Sequence, residues 1–356
     1  MRIAFFTDSW KPNKDGVVYS IESLINQLPS YNVEVKYIVC PSHDGKSRES
    51  NEDGIKTIYA RSLPLPFYKD YRVALMWKRL ANKVVADVDI AHSHGVGLTS
   101  LAAALSANEL NKGSVVTFHT NIMRATHYLG ALQGLGNWFT RNYLSYLYNK
   151  YDVVVAPSLK AVSELSGIGV KAVEIPNGID TSLFKCKRKP SKKPLLLHVG
   201  RVVKEKNLDM IIEYFNELLK EMPEAELYIV GDGPYYKELK KKEGGRVKLL
   251  GWVDRRGLKK IYAEADALVF ASFFDTQGLV VFEAMTCGLP VIAHKDSAAS
   301  EFVKDCGQVF RNKEEFIEAV KEVMDRGCKK DKESLDEKKT AERYAEIYKE
   351  VGGRSG

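Results

Sequence analysis

The chain has 356 residues, of which 45% are hydrophobic and 28% are charged, and this composition is typical of a soluble globular protein with room for two domains. The formal net charge of +7 is concentrated in residues 1–194, which carry 25 Lys/Arg and 16 Asp/Glu, and six of these basic residues lie within 185–193. Without that segment the first half is only mildly basic, and no nucleic-acid-binding motif is present, so we expect no nucleic acid partner.

Short apolar, β-branched runs alternate with helix-period segments along the whole chain. The strand predictions, in chain order, are 2–6, 33–39, 89–94, 114–119, 152–157, 172–176, 195–200, 225–231, 247–251, 267–272 and 290–293. Helices are predicted between them, for example at 204–222 and 255–265. This βαβ rhythm predicts an α/β fold with two doubly wound, Rossmann-like parallel-sheet domains that face each other across a cleft. We place an N-terminal domain at 1–184, a basic linker at 185–194 and a C-terminal domain at 195–334.

The last predicted element is a charged helix within 335–356. Its apolar side is formed by Tyr344, Ile347 and Tyr348. No strand follows it, so we expect this helix to pack back on the N-terminal domain.

The cysteines and the N-terminus bear on the cellular compartment. The five cysteines are odd in number and scattered, without a C-x-x-C pair, which predicts a reducing environment without disulfides or a zinc site. They are Cys40, Cys186, Cys287, Cys306 and Cys328. The apolar run at 1–6 is too short for a signal peptide, and no window reaches the roughly 18 apolar residues of a membrane span. We therefore predict a cytoplasmic protein.

The loop at 7–20 follows the first predicted strand, and ligands of doubly wound sheets bind at such strand ends. Gly16 stands just before a helix pattern, where a glycine lets backbone N–H groups approach a phosphate. An ordinary turn glycine is the alternative interpretation. The loop is not a G-x-G-x-x-G fingerprint, so NAD binding is not supported.

A second loop, GRVVKEKN at 200–207, follows the strand at 195–200. It carries Arg201 and Lys206 just beyond the strand end. Two cations there could neutralise a diphosphate, with Arg gripping planar oxygens and Lys acting as a point charge. Two ordinary surface charges are the competing interpretation.

A third loop lies within FFDTQGLVVFEAMTCGLPV at 273–291. Gly278 opens a helix pattern, so its amides could face a phosphate, and Asp275 precedes it by three residues. Glu283 lies five residues further on among apolar neighbours, so it needs a partner from the protein or from a ligand. Because carboxylates bind hydroxyl groups well, the pattern indicates phosphates at the amides with sugars on either side.

These motifs together resemble the retaining, GT-B-fold glycosyltransferases of family 4, over nearly the whole chain. The segments that carry the resemblance are DSWKPNKDGVVYSI, AHSHGVGL, TFHTN, IPNGIDTSLF, HVGRVVKEKN, IVGDGP, LLGWV and DTQGLVVFEAMTCGLPVIA. The last is similar to the family's E-x7-E signature, with Asp275 in place of the first glutamate. Some lipid-directed members resemble this variant, so the shorter side chain is not interpreted as inactivation.

The resemblance implies a role for each matching residue. Catalytic roles fall to His119 near the reacting carbon, Arg201 and Lys206 at the diphosphate, and Asp275 at the transferred sugar. Donor-binding roles fall to Gly16, Gly231, Gly233, Val253, Gly278, Leu279, Val280 and Glu283, the last at the ribose. The substrate would be a nucleotide-diphosphate sugar with uracil or guanine as the base.

Prearranged cations and helix-end amides can stabilise the departing diphosphate electrostatically, so we expect no metal and no other cofactor. Asp87 and Asp89 have D-x-D spacing but precede a strand, at the wrong end for the cleft, and are interpreted as structural. Retention is implied by the resemblance alone. Because no carboxylate nucleophile stands out, front-face displacement within an ion pair is the preferred hypothesis.

Two segments suggest a membrane acceptor. Residues 56–83 hold seven Lys/Arg against one Asp with five aromatics, and residues 124–150 are aromatic and contain no acid. Such segments suit the surface of an anionic bilayer, although core aromatics with a solvated basic face would look the same. A lipid or glycolipid acceptor at the inner face of the membrane is therefore expected, with a soluble sugar acceptor as the alternative.

Two other classes of protein use such a site. A sugar-nucleotide 2-epimerase binds the same donor without transferring its sugar, and a sugar-nucleotide sensor binds it without reaction. The presence of all five charged or titratable candidates argues against a sensor. These residues are His119, Arg201, Lys206, Asp275 and Glu283. The donor base, the hexose, the acceptor and the oligomeric state are left open by the sequence.

Overall fold

The computed structural model describes residues 1–65, 68–76, 78–119, 133–189, 193–303, 306–326, 328 and 336–353. The chain forms two compact units. Unit 1 comprises Met1–Gly178 together with Glu337–Gly356, and unit 2 comprises Ile179–Asp336.

Unit 1 is built on a sheet that is parallel except at one edge. Its strands are Arg2–Thr7 (β1), Glu34–Pro41 (β2), Arg48–Glu52 (β3), Ile55–Ala60 (β4), Ile90–His94 (β7), Gly113–Thr117 (β8), Val153–Ala156 (β9) and Val173–Glu174 (β10), and Ser62–Leu65 (β5) pairs with Tyr68–Ala74 (β6) in a separate hairpin. The strand order is β10-β9-β8-β7-β1-β2-β4-β3, with β3 antiparallel to β4. The helices are Gly16–Gln27 (α1), Lys78–Ala86 (α2), Leu98–Glu109 (α3), Gln133–Tyr148 (α4) and Leu159–Ser166 (α5).

Unit 2 is built on a fully parallel sheet. Its strands are Leu195–Val199 (β11), Glu226–Val230 (β12), Val247–Gly251 (β13), Ala267–Phe270 (β14), Val291–His294 (β15) and Gly307–Phe310 (β16), in the order β13-β12-β11-β14-β15-β16. The helices are Thr181–Phe184 (α6), Leu208–Leu218 (α7), Tyr236–Lys240 (α8), Arg255–Glu264 (α9), Leu279–Thr286 (α10) and Lys313–Arg326 (α11). Every residue of β11 is buried, and apolar clusters pack against both faces of the sheet. Parallel strands covered on both faces must be apolar throughout, which is why these segments were recognisable in the sequence.

The predicted fold class, two doubly wound parallel-sheet domains, is confirmed. All eleven predicted strands are present, and no strand end differs from its prediction by more than two residues. The sequence did not predict β3 to β6 or β16. Polar strands such as β3, whose sequence is RESNE, lie at a sheet edge and carry no apolar signal.

The last helix, Glu337–Gly352 (α12), packs within unit 1. Its residues Ala341, Tyr344, Tyr348 and Val351 are buried in one cluster with residues of β1 and α1. At its start, the carboxylate of Glu337 accepts hydrogen bonds from Ser23 Oγ at 2.9 Å and Gln27 Nε2 at 2.7 Å. The C-terminal segment therefore completes the core of the first unit.

The boundary between the units lies at 178/179, six residues before the predicted end at 184. The reason is that Ile179 and Phe184 are buried in the core of unit 2. The described part of the predicted linker also packs on unit 2, where Lys189 N donates to Ala263 O at 2.8 Å.

The prediction of a chain without disulfides is wrong. Cys186 is bonded to Cys287, and Cys306 to Cys328, whereas Cys40 is free and buried. The first pair is separated by 101 residues, so only the folding of unit 2 brings its members together. Cysteine usage therefore no longer supports the prediction of a reducing compartment.

Candidate functional site

The strand order fixes where a ligand can bind in each unit. In an open doubly wound sheet, ligands bind at the carboxyl ends of the strands, where the strand order reverses. In unit 2 the order reverses between β11 and β14, and in unit 1 between β7 and β1. The predicted site residues Arg201 and Lys206 follow β11, and Asp275 and Gly278 follow β14. Sequence reasoning therefore selected the two loops that meet at the reversal point of unit 2.

Lys206 and Asp275 form an ion pair, as Lys206 Nζ contacts Asp275 Oδ2. Lys206 lies between β11 and the next α-helix, because the helix predicted at 204–222 is divided. A 3-10 turn, Lys204–Lys206, ends at Asn207, whose φ is 53°, and α7 begins after it. Asn207 Nδ2 donates to Ala271 O at 2.7 Å, which ties this turn to the loop after β14.

The pair is largely shielded from solvent, with exposed side-chain fractions of 14% for Lys206 and 27% for Asp275. Burial alone would raise the pKa of Asp275, but the charge and the hydrogen bond of Lys206 outweigh it, so this pKa lies below its usual range. Asp275 is therefore ionised at neutral pH and able to accept hydrogen bonds from hydroxyl groups.

The start of α10 has the geometry that the sequence indicated. Gly278 has a φ of 90° and precedes the helix, and a Cβ built on it would lie 2.7 Å from the Phe270 ring. No described side chain caps this helix, so first-turn amides such as those of Leu279 and Val280 point outward without a side-chain acceptor. Lys206 Nζ lies 5.8 Å from the centroid of the same Phe270 ring. The structure thus brings the ion pair and the helix start together.

Glu283 has protein partners. It is 4% exposed, its Oε1 accepts from Arg255 Nη2 at 3.0 Å, and its Oε2 accepts from Tyr262 OH at 3.0 Å. Burial raises the pKa of Glu283 even though Arg255 opposes this. The Arg255 guanidinium also lies 5.3 Å from the centroid of the Phe184 ring. The role of Glu283 at the ribose stays a prediction, and its orientation is set by Arg255 and Tyr262.

The predicted base-side glycines have a packing reason to be glycine. A Cβ on Gly231 would lie 1.8 Å from Gly200 O, and one on Gly233 would lie 2.4 Å from Val202 O. The loops after β11 and β12 therefore approach each other too closely for any side chain. Arg201, on the first of these loops, is exposed.

Val253 leads into α9. The helix is capped by Asp254, whose Oδ1 accepts from Gly257 N at 2.7 Å, and Val253 packs against the apolar cluster that contains Glu283's neighbours. The cap fixes the direction of the first turn, and this turn carries Arg255. The contact of Val253 with a nucleotide base stays a prediction.

Gly16 in unit 1 is the first residue of α1 and is exposed. The preceding residue, Asp15, is the N-cap, and its Oδ1 accepts from Val17 N and Val18 N at 3.0 Å. A carboxylate of the protein therefore already occupies the first-turn amides that could bind a phosphate. Only the backbone of Gly16 itself remains for the predicted phosphate contact.

Asp8 binds the backbone just before α3, and sequence reasoning missed this contact. Its Oδ2 accepts from Val96 N at 2.7 Å and Gly97 N at 2.8 Å. A Cβ on Gly95 would lie 2.1 Å from the same Oδ2, so the motif HGVG has its glycine there because of this close approach. The signal in the sequence was an acid directly after β1 facing a glycine-containing helix start.

His119 follows β8 and lies beside His94, with His94 Nδ1 and His119 Nε2 3.0 Å apart. His92 lies on the same strand as His94 and hydrogen bonds through Nδ1 to Tyr348 OH at 2.6 Å and through Nε2 to Thr117 Oγ1 at 2.8 Å. Burial lowers the pKa of His119 to about 4, and those of His92 and His94 well below their usual range. The histidines are therefore neutral, and α12 helps to hold them.

Unit 1 is expected to lose stability in mild acid. An unfolded His titrates near 6.5, whereas His92 and His94 stay neutral in the fold to much lower pH, so the unfolded state binds more protons below pH 6.5. The free energy of unfolding should fall by about 4 kcal/mol between pH 7 and pH 5, which is about 2 kcal/mol for each of the two histidines, as measured by denaturant titration. His94→Gln should reduce this dependence. A flat profile in the parent protein would contradict the expectation.

Arg255 and Tyr262 are the partners of the candidate residue Glu283, and sequence reasoning missed both of them. A basic residue in the first turn of a helix opposes the helix dipole, and Arg255 was a visible case. Nothing local, however, connected it to an acid 28 residues later.

Asp87 and Asp89, which have D-x-D spacing, bind protein groups in unit 1. Asp87 accepts from Lys36 Nζ at 2.6 Å, and Asp89 accepts from Arg2 N at 2.7 Å, in agreement with their structural interpretation.

The predicted membrane segment at 56–83 contains most of β4, all of β5 and β6, and most of α2. Tyr59 is 6% exposed, and Arg48 lies over its ring at 4.4 Å, so this aromatic belongs to the core. Phe67 and Trp77, and the side chains of Tyr68 and Tyr71, lie outside the described residues.

In the second membrane segment, 124–132 lies outside the described residues and α4 forms most of the rest. One side of α4 packs into unit 1 through Leu144, Leu147 and Tyr148. The other side exposes large apolar side chains, namely Leu135 (65%), Trp138 (63%), Phe139 (64%) and Tyr146 (53%). Among the described parts of the chain, no helix is long and apolar enough to cross a membrane.

Both halves of the chain match known families. Residues 14–183 match the model for Glycosyltransferase Family 4, and residues 180–342 match the model for glycosyl transferases group 1. Together the two matches extend from 14 to 342.

Relatives were found among characterised proteins. Sulfoquinovosyl transferase SQD2 of Arabidopsis thaliana is 27% identical over 85% of this chain, which spans 61% of that protein's length. Alpha-monoglucosyldiacylglycerol synthase of Acholeplasma laidlawii is 28% identical over 89% of this chain and 86% of the length of the synthase. A GDP-mannose-dependent phosphatidylinositol dimannoside mannosyltransferase of Mycobacterium tuberculosis is 29% identical over 56% of this chain and 54% of its own.

Solved structures share the fold. Sucrose-phosphate synthase from Thermosynechococcus elongatus superimposes with a TM-score of 0.71 at 16% identity, over 99% of this chain and 96% of its own. Anabaena HepE in complex with UDP-glucose superimposes with a TM-score of 0.68 at 17% identity. The superposition covers 100% of this chain and 98% of the HepE chain.

Proposed function

Because this chain belongs to the family 4 and group 1 glycosyltransferases, which have the GT-B fold, we propose that it transfers a hexose from a UDP- or GDP-sugar to a membrane lipid or glycolipid with retention of the anomeric configuration. The observation that carries the proposal is the position of the Lys206–Asp275 pair and the uncapped start of α10. Both lie at the point where the strand order of unit 2 reverses.

In this proposal the diphosphate is the leaving group, and its growing negative charge must be stabilised. Lys206, Arg201 and the amides at the start of α10 supply positive charge and oriented donors without moving during the reaction. No metal is included. The ionised Asp275 accepts hydrogen bonds from hydroxyls of the hexose, and His119 is assigned to the same sugar.

The remaining assignments follow from position. Glu283 is proposed to bind the ribose hydroxyls, and the loops with Gly231, Gly233 and Val253 to bind the base. Departure of the diphosphate leaves positive charge at the sugar. The acceptor hydroxyl then attacks from the face that the diphosphate leaves, passing its proton to a departing phosphate oxygen, and this retains the configuration.

A lipid acceptor is supported by two independent observations. The relatives named above include a monoglucosyldiacylglycerol synthase and a phosphatidylinositol dimannoside mannosyltransferase. In addition, α4 exposes an apolar face with Lys150 near it, 4.7 Å from the centroid of the Tyr146 ring, in a segment without acids. Aromatic residues beside basic ones suit the interface of an anionic bilayer.

Replacing Trp138 and Phe139 together with alanine should weaken binding to anionic vesicles at least tenfold, about 1.4 kcal/mol, because two exposed aromatics no longer enter the interface. Co-sedimentation with vesicles containing phosphatidylglycerol measures this. Leu250→Ala, which removes an exposed apolar side chain in unit 2, is the control and should bind as the parent does. Equal binding of all three proteins would remove α4 from the proposal.

The proposed reaction is tested in two stages. A thermal-shift panel of UDP-, GDP- and ADP-sugars identifies the donor, since a ligand that binds the native state raises the melting temperature. Release of the nucleoside diphosphate is then followed with and without diacylglycerol vesicles, in buffer and in EDTA. If the protein is a transferase, the nucleoside diphosphate should be released only when the acceptor is present. If the reaction needs no metal, EDTA should not change the rate of this release. Isomerisation of the donor without release would instead indicate a 2-epimerase, and no shift with any nucleotide sugar would contradict the proposed function.

A further inference from the structure

His198 is a buried histidine of unit 2 that none of the roles above uses. It lies on β11, is 0% exposed, and its Nδ1 is 3.1 Å from Val269 O on the neighbouring strand β14. A carbonyl oxygen can only accept a hydrogen bond, so Nδ1 carries the proton. Burial, assisted by the charge of Lys206, lowers the pKa of His198 to about 4, so the ring is neutral. Its second nitrogen, Nε2, is therefore a bare acceptor.

Nε2 has no hydrogen-bond partner among the residues that the structure describes. A Cβ built on Gly200 would lie 3.5 Å from His198 Nε2 and 3.8 Å from Lys206 Nζ. The acceptor and the ammonium group therefore border the same small space, which is open because residue 200 is a glycine. Asp275, the ion-pair partner of Lys206, stands beside this space as well.

A buried acceptor without a donor is unfavourable, so its retention here indicates a ligand that supplies the donor. The chemistry of that ligand is restricted by the tautomer. Phosphate oxygens are acceptors at neutral pH and would repel the lone pair of Nε2, whereas a sugar hydroxyl can donate to it. Nε2 and Asp275 are both acceptors, and together they suit a group of neighbouring hydroxyls.

We propose that His198 is a specificity-determining residue of the donor site, where its Nε2 accepts a hydrogen bond from a hydroxyl of the transferred hexose. This inference rests on the proposed function, and it adds a contact to the sugar rather than to the nucleotide. In this arrangement His198 and Asp275 accept hydrogen bonds from different hydroxyls of one sugar. Lys206 keeps its proposed role at the diphosphate.

The test uses His198→Asn, because the Asn side-chain amide can keep the hydrogen bond to Val269 O while removing the acceptor at the Nε2 position. Binding is measured by calorimetry with UDP-glucose and UDP, or with GDP-mannose and GDP, whichever pair the parent protein binds. The variant should bind the nucleotide sugar about tenfold more weakly and the free nucleoside diphosphate within twofold of the parent. Its melting temperature should stay close to that of the parent.

Two further arms sharpen the result. His198→Gln places an amide oxygen near the Nε2 position and should recover part of the lost affinity. Among donor analogues that each lack one hexose hydroxyl, one should bind the parent and His198→Asn equally, because the hydroxyl that His198 contacts is then missing.

Each contrary outcome has its own meaning. Unchanged nucleotide-sugar binding in His198→Asn would overturn this inference and leave the proposed function standing. An equal loss for the nucleotide sugar and the free nucleotide would overturn it too, because the contact would then not be to the hexose. A parent protein that binds no nucleotide sugar would overturn the proposed function and this inference together.

Discussion

Lys206→Ala is expected to lower kcat about a hundredfold, equivalent to about 2.7 kcal/mol, with a smaller effect on the Kd of the donor. The ammonium group contacts Asp275 and lies 5.8 Å from the centroid of the Phe270 ring, which also borders Gly278 at the start of α10. There it stabilises charge that grows only as the diphosphate departs, so its loss raises the barrier more than it weakens ground-state binding. Initial rates with the donor from the thermal-shift panel, over a range of donor concentrations, measure both quantities.

A matched control lies two residues earlier, in the same 3-10 turn. Lys204 is exposed and faces the Tyr235 ring at 5.7 Å, so Lys204→Ala removes an equal charge away from the pair and should keep kcat within twofold. Lys206→Arg, which keeps the charge in a different geometry, should fall between the two. A hundredfold loss in Lys204→Ala as well, or nearly normal turnover in Lys206→Ala, would place the diphosphate elsewhere.

Glu283→Ala is expected to lower kcat/KM at least tenfold, about 1.4 kcal/mol, and also to reduce the free energy of unfolding by about 2 kcal/mol. The functional loss follows from the proposed ribose contact. The loss of stability follows from the partners of Glu283, because Arg255 would keep its charge in a mostly buried position without the carboxylate. Steady-state kinetics and denaturant titration report the two effects separately.

The two effects can be separated by a double substitution. Glu283→Met with Arg255→Met replaces the buried ion pair by apolar side chains of similar volume, and such exchanges often restore stability. The double variant should unfold like the parent and stay at least tenfold impaired in kcat/KM. Glu264→Ala, at the exposed end of α9, is the control and should change neither quantity. A double variant that is stable and fully active would refute the ribose contact.

The general architecture was predictable because parallel strands covered on both faces are apolar along their whole length. β11, for instance, reads LLLHV and is completely buried. The order of βα units then places the loops after β11 and β14 at one edge of the sheet, so Lys206, Asp275 and Gly278 could be selected without coordinates. The same reasoning failed for β3, where an edge strand has no apolar face.

The partners of the site residues could not be predicted. Glu283 clearly needed a partner, yet the sequence offers 53 Lys/Arg, and only the folding of unit 2 brings Arg255 to it. The disulfides illustrate the same limit, since a separation of 101 residues carries no local signal.

The two sheets, the loops that carry the candidate chemistry and the glycines that start their helices could be predicted from the residues alone, because periodicity, turn chemistry and strand ends are local properties of the chain. Folding was needed to show which charges meet, which histidine nitrogens are satisfied and that α12 belongs to the first unit. These are contacts between residues far apart in sequence, and their energies depend on burial and distance, which the order of residues does not contain.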